Sequence, residues 1–181
     1  MSGGASEADH IGTTIRLATL ADAIALADLG ARTFVESYAS ATAPADIAEY
    51  LAATYSPDRQ RAELEDPRSA VFVAERGESL SGYAWLYART HASCDVGADA
   101  MELARIYVAR EAAGQGLGSA LLDALVDEAR RRGARSLWLS VWTENASAIA
   151  FYERRAFTVV GSQPFRVGTD IQRDHVMARG I

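Results

Sequence analysis

The chain has 181 residues, 24 of them acidic and 18 basic, and all 18 basic residues are arginine. The absence of lysine excludes every chemistry that needs an amine side chain: a pyridoxal-phosphate Schiff base, a P-loop lysine, the ATP-positioning lysine of a kinase. With 49% apolar and 23% charged residues the sequence supplies one ordinary domain with a sizeable core and leaves no room for a second.

The first residues, MSGGASEADH, have neither a basic n-region nor an apolar h-region, so residues 1–12 read as a loose tail ahead of a single domain over 13–181. Residues 14–18 alternate as a short strand, and Thr19 followed by Asp22 resembles a capping box for a helix through Arg32. Pro44 and Pro57, the latter after Ser56, sit where prolines open helices, predicting helices at 44–54 and 57–65. Ser69–Ala74 and Leu80–Ala88 are β-rich runs around Glu75-Arg76-Gly77-Glu78, a hairpin by composition. Met101–Val108 reads as a strand, Gly114–Arg132 as a long helix ended by Gly133, and Ser136–Trp142 as a nearly continuous apolar strand. In that helix Leu117, Leu121, Leu125 and Ala129 form a buried stripe, and the unit from 101 to 142 is a right-handed β-α-β crossover with parallel strands. A helix over Asn145–Arg155 and strands at Phe157–Gly161 and Asp170–Met177 close the chain.

No apolar run approaches a membrane span, and a lone cysteine, Cys94, cannot close an intrachain disulfide, so the expectation is a reduced, cytoplasmic protein. His10, His91 and His175 are scattered and have no cysteine partners, so no metal is expected. Residues 1–100 carry 7 arginines against 15 acids, and residues 101–181 carry 11 against 9. An acidic front suits a cationic substrate and a mildly basic back tolerates a polyanionic cofactor; acids solvating surface helices would give the same counts. No strongly basic face argues for nucleic acid.

The segment AREAAGQGLGSALLDAL puts a glycine-rich turn between a strand and a helix, so Gly114, Gly116 and Gly118 can bring bare backbone N–H groups and a helix N-terminus onto a phosphate. Glycines for close helix-on-sheet packing would read the same way. GxGxxG fails at Ser119, and the P-loop fails for want of lysine. Downstream, Asn145 is an N-cap and Tyr152, seven residues later, lies two turns along on the same helix face.

These two features resemble the GCN5-related N-acetyltransferases, with the Q/R-x-x-G-x-G/A motif as Ala113–Gly118 and the later helix as Asn145-x-x-Ala148-x-x-x-Tyr152. The resemblance spans nearly the whole chain. It implies an α/β (α+β) fold with a mixed, mostly antiparallel sheet of about seven strands and a parallel β-α-β core splayed at strands 4 and 5. A narrower likeness, in RTFVESY, ELARIYV and above all the ending FRVGTDIQRDHVM, is to the bacterial spermine/spermidine branch.

The resemblance further implies acetyl-CoA as co-substrate. Its pyrophosphate would sit on Gly114, Gln115, Gly116, Leu117, Gly118 and Ser119, its pantetheine beside Ile106, Tyr107 and Val108, with Asn145, Ala148 and Tyr152 alongside. Ala113 stands where the family has Gln or Arg and cannot donate to a phosphate. Ala156 stands where it has glycine, and a left-handed site there would cost about 1 kcal/mol. A primary amine of pKa about 10.4 costs about 4.6 kcal/mol to deprotonate at pH 7, so a base is useful. Glu102, which strand alternation sets on the face of Ala104 and Ile106, is the candidate, directly or through water; a solvated carboxylate is the other reading. Tyr152 is the implied acid for the leaving thiolate. Phe34, Glu36, Tyr38, Asp170 and Asp174 are candidates for the amine end. The expected partner is a small-molecule amine, a polyamine such as spermidine or spermine in the narrower likeness, with no nucleic acid and no membrane; a homodimer is common in the family. A protein or antibiotic amine, or a non-catalytic acyl-CoA sensor, are the alternatives.

Overall fold

The computed structural model describes residues 12–88 and 92–181, so His10, His91 and all of the expected tail but Gly12 lie outside the described residues. In chain order it contains β1 (Thr13–Leu17), α1 (Ala23–Tyr38), α2 (Pro44–Thr54), α3 (Pro57–Glu65), β2 (Ser69–Arg76), β3 (Ser79–Tyr87), β4 (Ala100–Val108), α4 (Leu117–Arg131), β5 (Ser136–Trp142), α5 (Ala146–Glu153), β6 (Thr158–Val167) and β7 (Asp170–Gly180). The strands form one seven-stranded sheet in the order β1-β2-β3-β4-β5-β7-β6. Among the described residues only the β4–β5 pair is parallel. This is the mixed α/β sheet that the sequence implied.

Local chemistry sets most boundaries. Asp22 accepts from the Thr19 backbone N–H at 2.7 Å and holds Arg16 at 2.8 Å, fixing the entry to α1. Ser56 caps α3 through the Arg59 N–H, and Pro44 and Pro57 occupy first-turn positions. The largest differences from expectation lie in four elements, one of them β7, which runs past Met177 to Gly180 because Trp138, Leu137 and Ser136 of β5 pair with Ala178, Arg179 and Gly180. Helix α1 runs to Tyr38 rather than Arg32, because Thr33 and Ser37 turn their hydroxyls back onto the Leu29 and Thr33 carbonyls while Phe34 and Tyr38 pack on aromatic neighbours. Helix α4 begins at Leu117, leaving Gly114 to Gly116 as loop. Strand β6 continues to Val167, because the whole hairpin pairs with β7 down to Val167 opposite Asp170.

The expected stripe of α4 is buried: Leu117, Leu121, Leu125 and Ala129 pack with Leu103, Leu137, Leu139 and Met177 on one face of the sheet. Each such leucine contributes about 1.5–3 kcal/mol. On the opposite face, which we call the front, Leu26 and Leu29 of α1 pack on Val71, Val73 and Tyr83.

Two irregularities of β4 build the site. β4 and β5 pair only at Ala100–Ser136, Met101–Leu137 and Glu102–Trp138, and no ladder joins them beyond. Across the other edge, Trp85 lies opposite Arg105 while Leu86 lies opposite Leu103, so Ala104 is an extra, bulged residue. The bulge corrects the expected face of Glu102. Strict alternation put it with Ala104 and Ile106, but the inserted residue separates the two: Leu103 and Ile106 both pack toward α4, whereas Glu102, Ala104 and Arg105 border a cavity on the front.

Candidate active site

The loop before α4 is shaped by positive φ. Gly114 has φ +77° and Gly116, the N-cap of α4, has φ +78°, conformations that L side chains disfavour by about 1 kcal/mol or more. Packing explains neither Gly114 nor Gly118: a Cβ on Gly114 would meet nothing within 4 Å, and one on Gly118 would touch Phe151 at an ordinary 3.7 Å. Among the described residues, none of the backbone N–H groups from Gly114 through Gly118 has an acceptor within the chain; the first donors to find one are Ser119 and Ala120, both on the Gly116 carbonyl. Those free donors at a helix N-terminus form an anion cradle. Ala113 contributes lining but no donor side chain. Gln115 points elsewhere, accepting from Arg76 at 3.0 Å and donating to the Glu111 carbonyl.

The cradle opens into a cleft of about 510 Å³ between β4 and α5. Ile106, Tyr107 and Val108 form one wall; Asn145, Ala148 and Tyr152 form the other. Asn145 caps α5 by accepting from the Ala148 N–H at 3.1 Å and the Ser147 hydroxyl at 3.0 Å. Asn145 and Tyr152 thus share a face, as their seven-residue spacing predicts. Ser37, Ser147, Phe151 and Arg154 also line the cleft. The first three were missed by the sequence reading: Phe151 directly precedes Tyr152, and Ser37 enters only because α1 runs past Arg32.

Deeper in, a gap of about 80 Å³ separates Leu103–Tyr107 from Ser140–Trp142, beyond the last parallel rung. That is room for a few heavy atoms, against about 30 Å³ per water. Tyr152 borders both cleft and gap, is 6% exposed, and burial pushes its phenol above the ordinary value. It therefore carries its proton across the physiological range.

On the front, Tyr38 lines the gap and stacks on Phe34 at 4.4 Å and Trp142 at 5.5 Å. Asp174, opposite Trp142 in the β5–β7 ladder, is 4% exposed, and its Oδ1 has no hydrogen-bond partner among the described residues. Burial lifts its carboxyl to about 6. Phe34 is fully packed behind Tyr38. Glu36 lies exposed on α1, outside the cavities, and Asp170 is occupied in the β6–β7 turn by the Gln172 amide at 2.9 Å. A second cavity of about 510 Å³ adjoins the gap through Ala104 and Arg105 and is bordered by Glu102, Arg59 and Arg68.

The Acetyltransferase (GNAT) family profile matches residues 33–157. An uncharacterized N-acetyltransferase of Mycobacterium tuberculosis is 34% identical over 162 residues, covering 90% of this chain and 99% of that protein. The PaiA N-acetyltransferase of Thermoplasma acidophilum, solved with coenzyme A, superposes with a TM-score of 0.77 at 19% identity, over 94% of this chain and all of that one. The acetyltransferase yncA of Salmonella typhimurium, solved with its cofactor acetyl-CoA, gives 0.72 at 26% identity, with 93% of each chain covered. The chain belongs to the GNAT acetyltransferase family. It is an acetyl-CoA-dependent N-acetyltransferase.

Proposed function

We propose that this enzyme transfers the acetyl group to a primary amine by direct attack in a ternary complex. Acetyl-CoA lies with its pyrophosphate on the Gly114–Gly118 N–H groups, its pantetheine along Ile106–Val108, and its thioester in the gap between β4 and β5. The observation that carries this is the continuity of cradle, cleft and gap, with Tyr152 bordering the latter two. The fit of the cofactor rests on the unused donors of the loop. Arg154, at the cleft, supplies a cation for a phosphate in place of the donor that Ala113 lacks.

The amine nitrogen attacks the thioester carbonyl carbon from the front, where Ala104 bulges. A β4 backbone N–H polarises the carbonyl oxygen. The nitrogen's proton passes to Glu102, directly or through water. The tetrahedral intermediate then expels the thiolate as the C–S bond breaks. The Tyr152 phenol donates to the departing sulfur, and the raised pKa of a buried phenol is matched by a thiolate that is equally desolvated.

The expectation of a polyamine acceptor rests on the V-G-x-D-x-Q-x-D pattern of the C-terminal strands. Most of that pattern has work in the hairpin itself. Val167 is fully buried, and Gly168 has φ +59° where Asp46 leaves no room for a Cβ. Asp170 and Gln172 bond each other, and Gln172 also holds Thr42 at 2.8 Å. Asp174, beside the Trp142 ring, is the acid of that pattern whose Oδ1 lacks a partner among the described residues, but at 4% exposure it lines neither the cleft nor the gap. Free-thiol release with acetyl-CoA across polyamines, amino acids, aminoglycosides and peptides tests the reading. Turnover with at least one amine supports it; coenzyme A binding without turnover of any amine points to a sensor instead.

A further inference from the structure

The cavity on the front of the sheet holds a half-used guanidinium that the acetyl transfer itself does not need. Arg105 is buried between the rings of Trp85 at 4.5 Å and Tyr55 at 5.2 Å, and donates to both oxygens of Glu63, at 2.7 and 3.2 Å. Glu63 also accepts from the Nε of Arg59 at 3.2 Å. One buried carboxylate is thus shared by two guanidinium groups, while Glu102 and Asp66 at the same wall bring the cavity's carboxylates to three against three arginines. Arg105 is enclosed, whereas the Arg59 side chain is 56% exposed at the cavity wall. Among the described residues the two terminal nitrogens of Arg59 have no partner, leaving a planar pair of donors. Arg68, by contrast, is spent: Asp66 accepts from its Nε at 3.0 Å and its Nη2 at 2.7 Å.

The other end of the cavity is fixed by the reaction. It meets the gap at Ala104 and Arg105, where the amine must stand to reach the acetyl group. From these two ends, and resting on the acyl-transfer reading above, we infer that the acceptor carries a carboxylate as well as its amine. It is an amino acid or a short peptide, with the amine at the Ala104 bulge and the carboxylate on Arg59. A guanidinium fork matches a carboxylate in two parallel hydrogen bonds. A polycation placed in the same cavity would leave the Arg59 fork without an anion to match it.

The test compares free L-amino acids and dipeptides with their methyl esters and C-terminal amides, and with spermidine, by thiol release from acetyl-CoA. Wild-type enzyme should use the best free acid with a kcat/KM at least about tenfold above that of its ester or amide and above that of spermidine. Arg59→Ala should raise KM for the free acid about tenfold, abolish the preference for the free acid over its ester, and leave the KM of acetyl-CoA unchanged. Esters and amides used as well as free acids, or spermidine used best, overturn the carboxylate requirement while leaving the acyl-transfer reading intact. Coenzyme A binding with no turnover of any acceptor overturns both. Thermal melting of Arg59→Ala checks folding, and the wild-type ester comparison stands without the variant.

Discussion

Glu102 lies opposite Trp138 on the last rung of the β4–β5 ladder, and the two strands part immediately beyond it. The carboxyl is thereby held at the mouth of the opening, on the front, while Leu103 beside it faces α4. Replacing it with an isosteric amide keeps the shape and removes the proton acceptor. Glu102→Gln should lower kcat by about a hundredfold at pH 7, with recovery as pH rises and the amine deprotonates in solution. A pH–rate profile parallel to wild type would assign Glu102 a structural role.

Gly116 and Gly133 share a backbone conformation, with φ of +78° and +86°, but only Gly116 borders the cleft. Alanine at either should cost about 1 kcal/mol of stability. Gly116→Ala should in addition weaken acetyl-CoA binding at least about fivefold, since the cradle donors must shift; Gly133→Ala should not. Isothermal titration of both variants separates strain from binding, and equal affinities would place the phosphates elsewhere.

Ala156 takes φ +63° just after α5, on the surface. The strain anticipated from the missing glycine is present in the folded chain. Ala156→Gly should therefore stabilise the protein by about 1 kcal/mol in urea unfolding, with thiol-release kinetics unchanged. A destabilised variant would contradict this.

The Asp174 carboxyl, at about 6, keeps its proton to higher pH than the unfolded chain does at about 3.9. Between those values the folded state binds more protons, so this group's contribution is fully present below about pH 4 and is lost as pH rises through about 6. Asp174→Asn removes the titration. The variant should match wild type near pH 4 and exceed it by on the order of 2 kcal/mol at pH 7. Stability curves that stay parallel from pH 4 to 8 would contradict it.

What could be read from the chain was what local chemistry writes. The Gly114–Gly118 turn, the Asn145 cap and Tyr152 two turns on, and the Leu117–Ala129 stripe each depend on spacing within one element. What could not be read depends on partners distant in sequence. The Ala104 bulge arises from the register against Trp85 and Leu86, so alternation along β4 alone groups Glu102 with Ile106 as well as with Ala104, and of the two Ala104 shares its cavity. Arg105 meets Glu63 across 42 residues, and no local pattern marks that pair. Asp170 and Glu36 have the same residue chemistry as Asp174 and Glu102; only the turn and the exposed helix face set them apart.

The central claim is that acetyl transfer takes place in the gap between β4 and β5 with Tyr152 serving the leaving sulfur. Tyr152→Phe keeps the buried ring and deletes only the hydroxyl. With the best acceptor amine, steady-state thiol release should show kcat lowered at least about tenfold and the KM of acetyl-CoA changed less than about twofold. Unchanged kcat would remove Tyr152 from the chemistry and contradict the placement of the thioester in that gap.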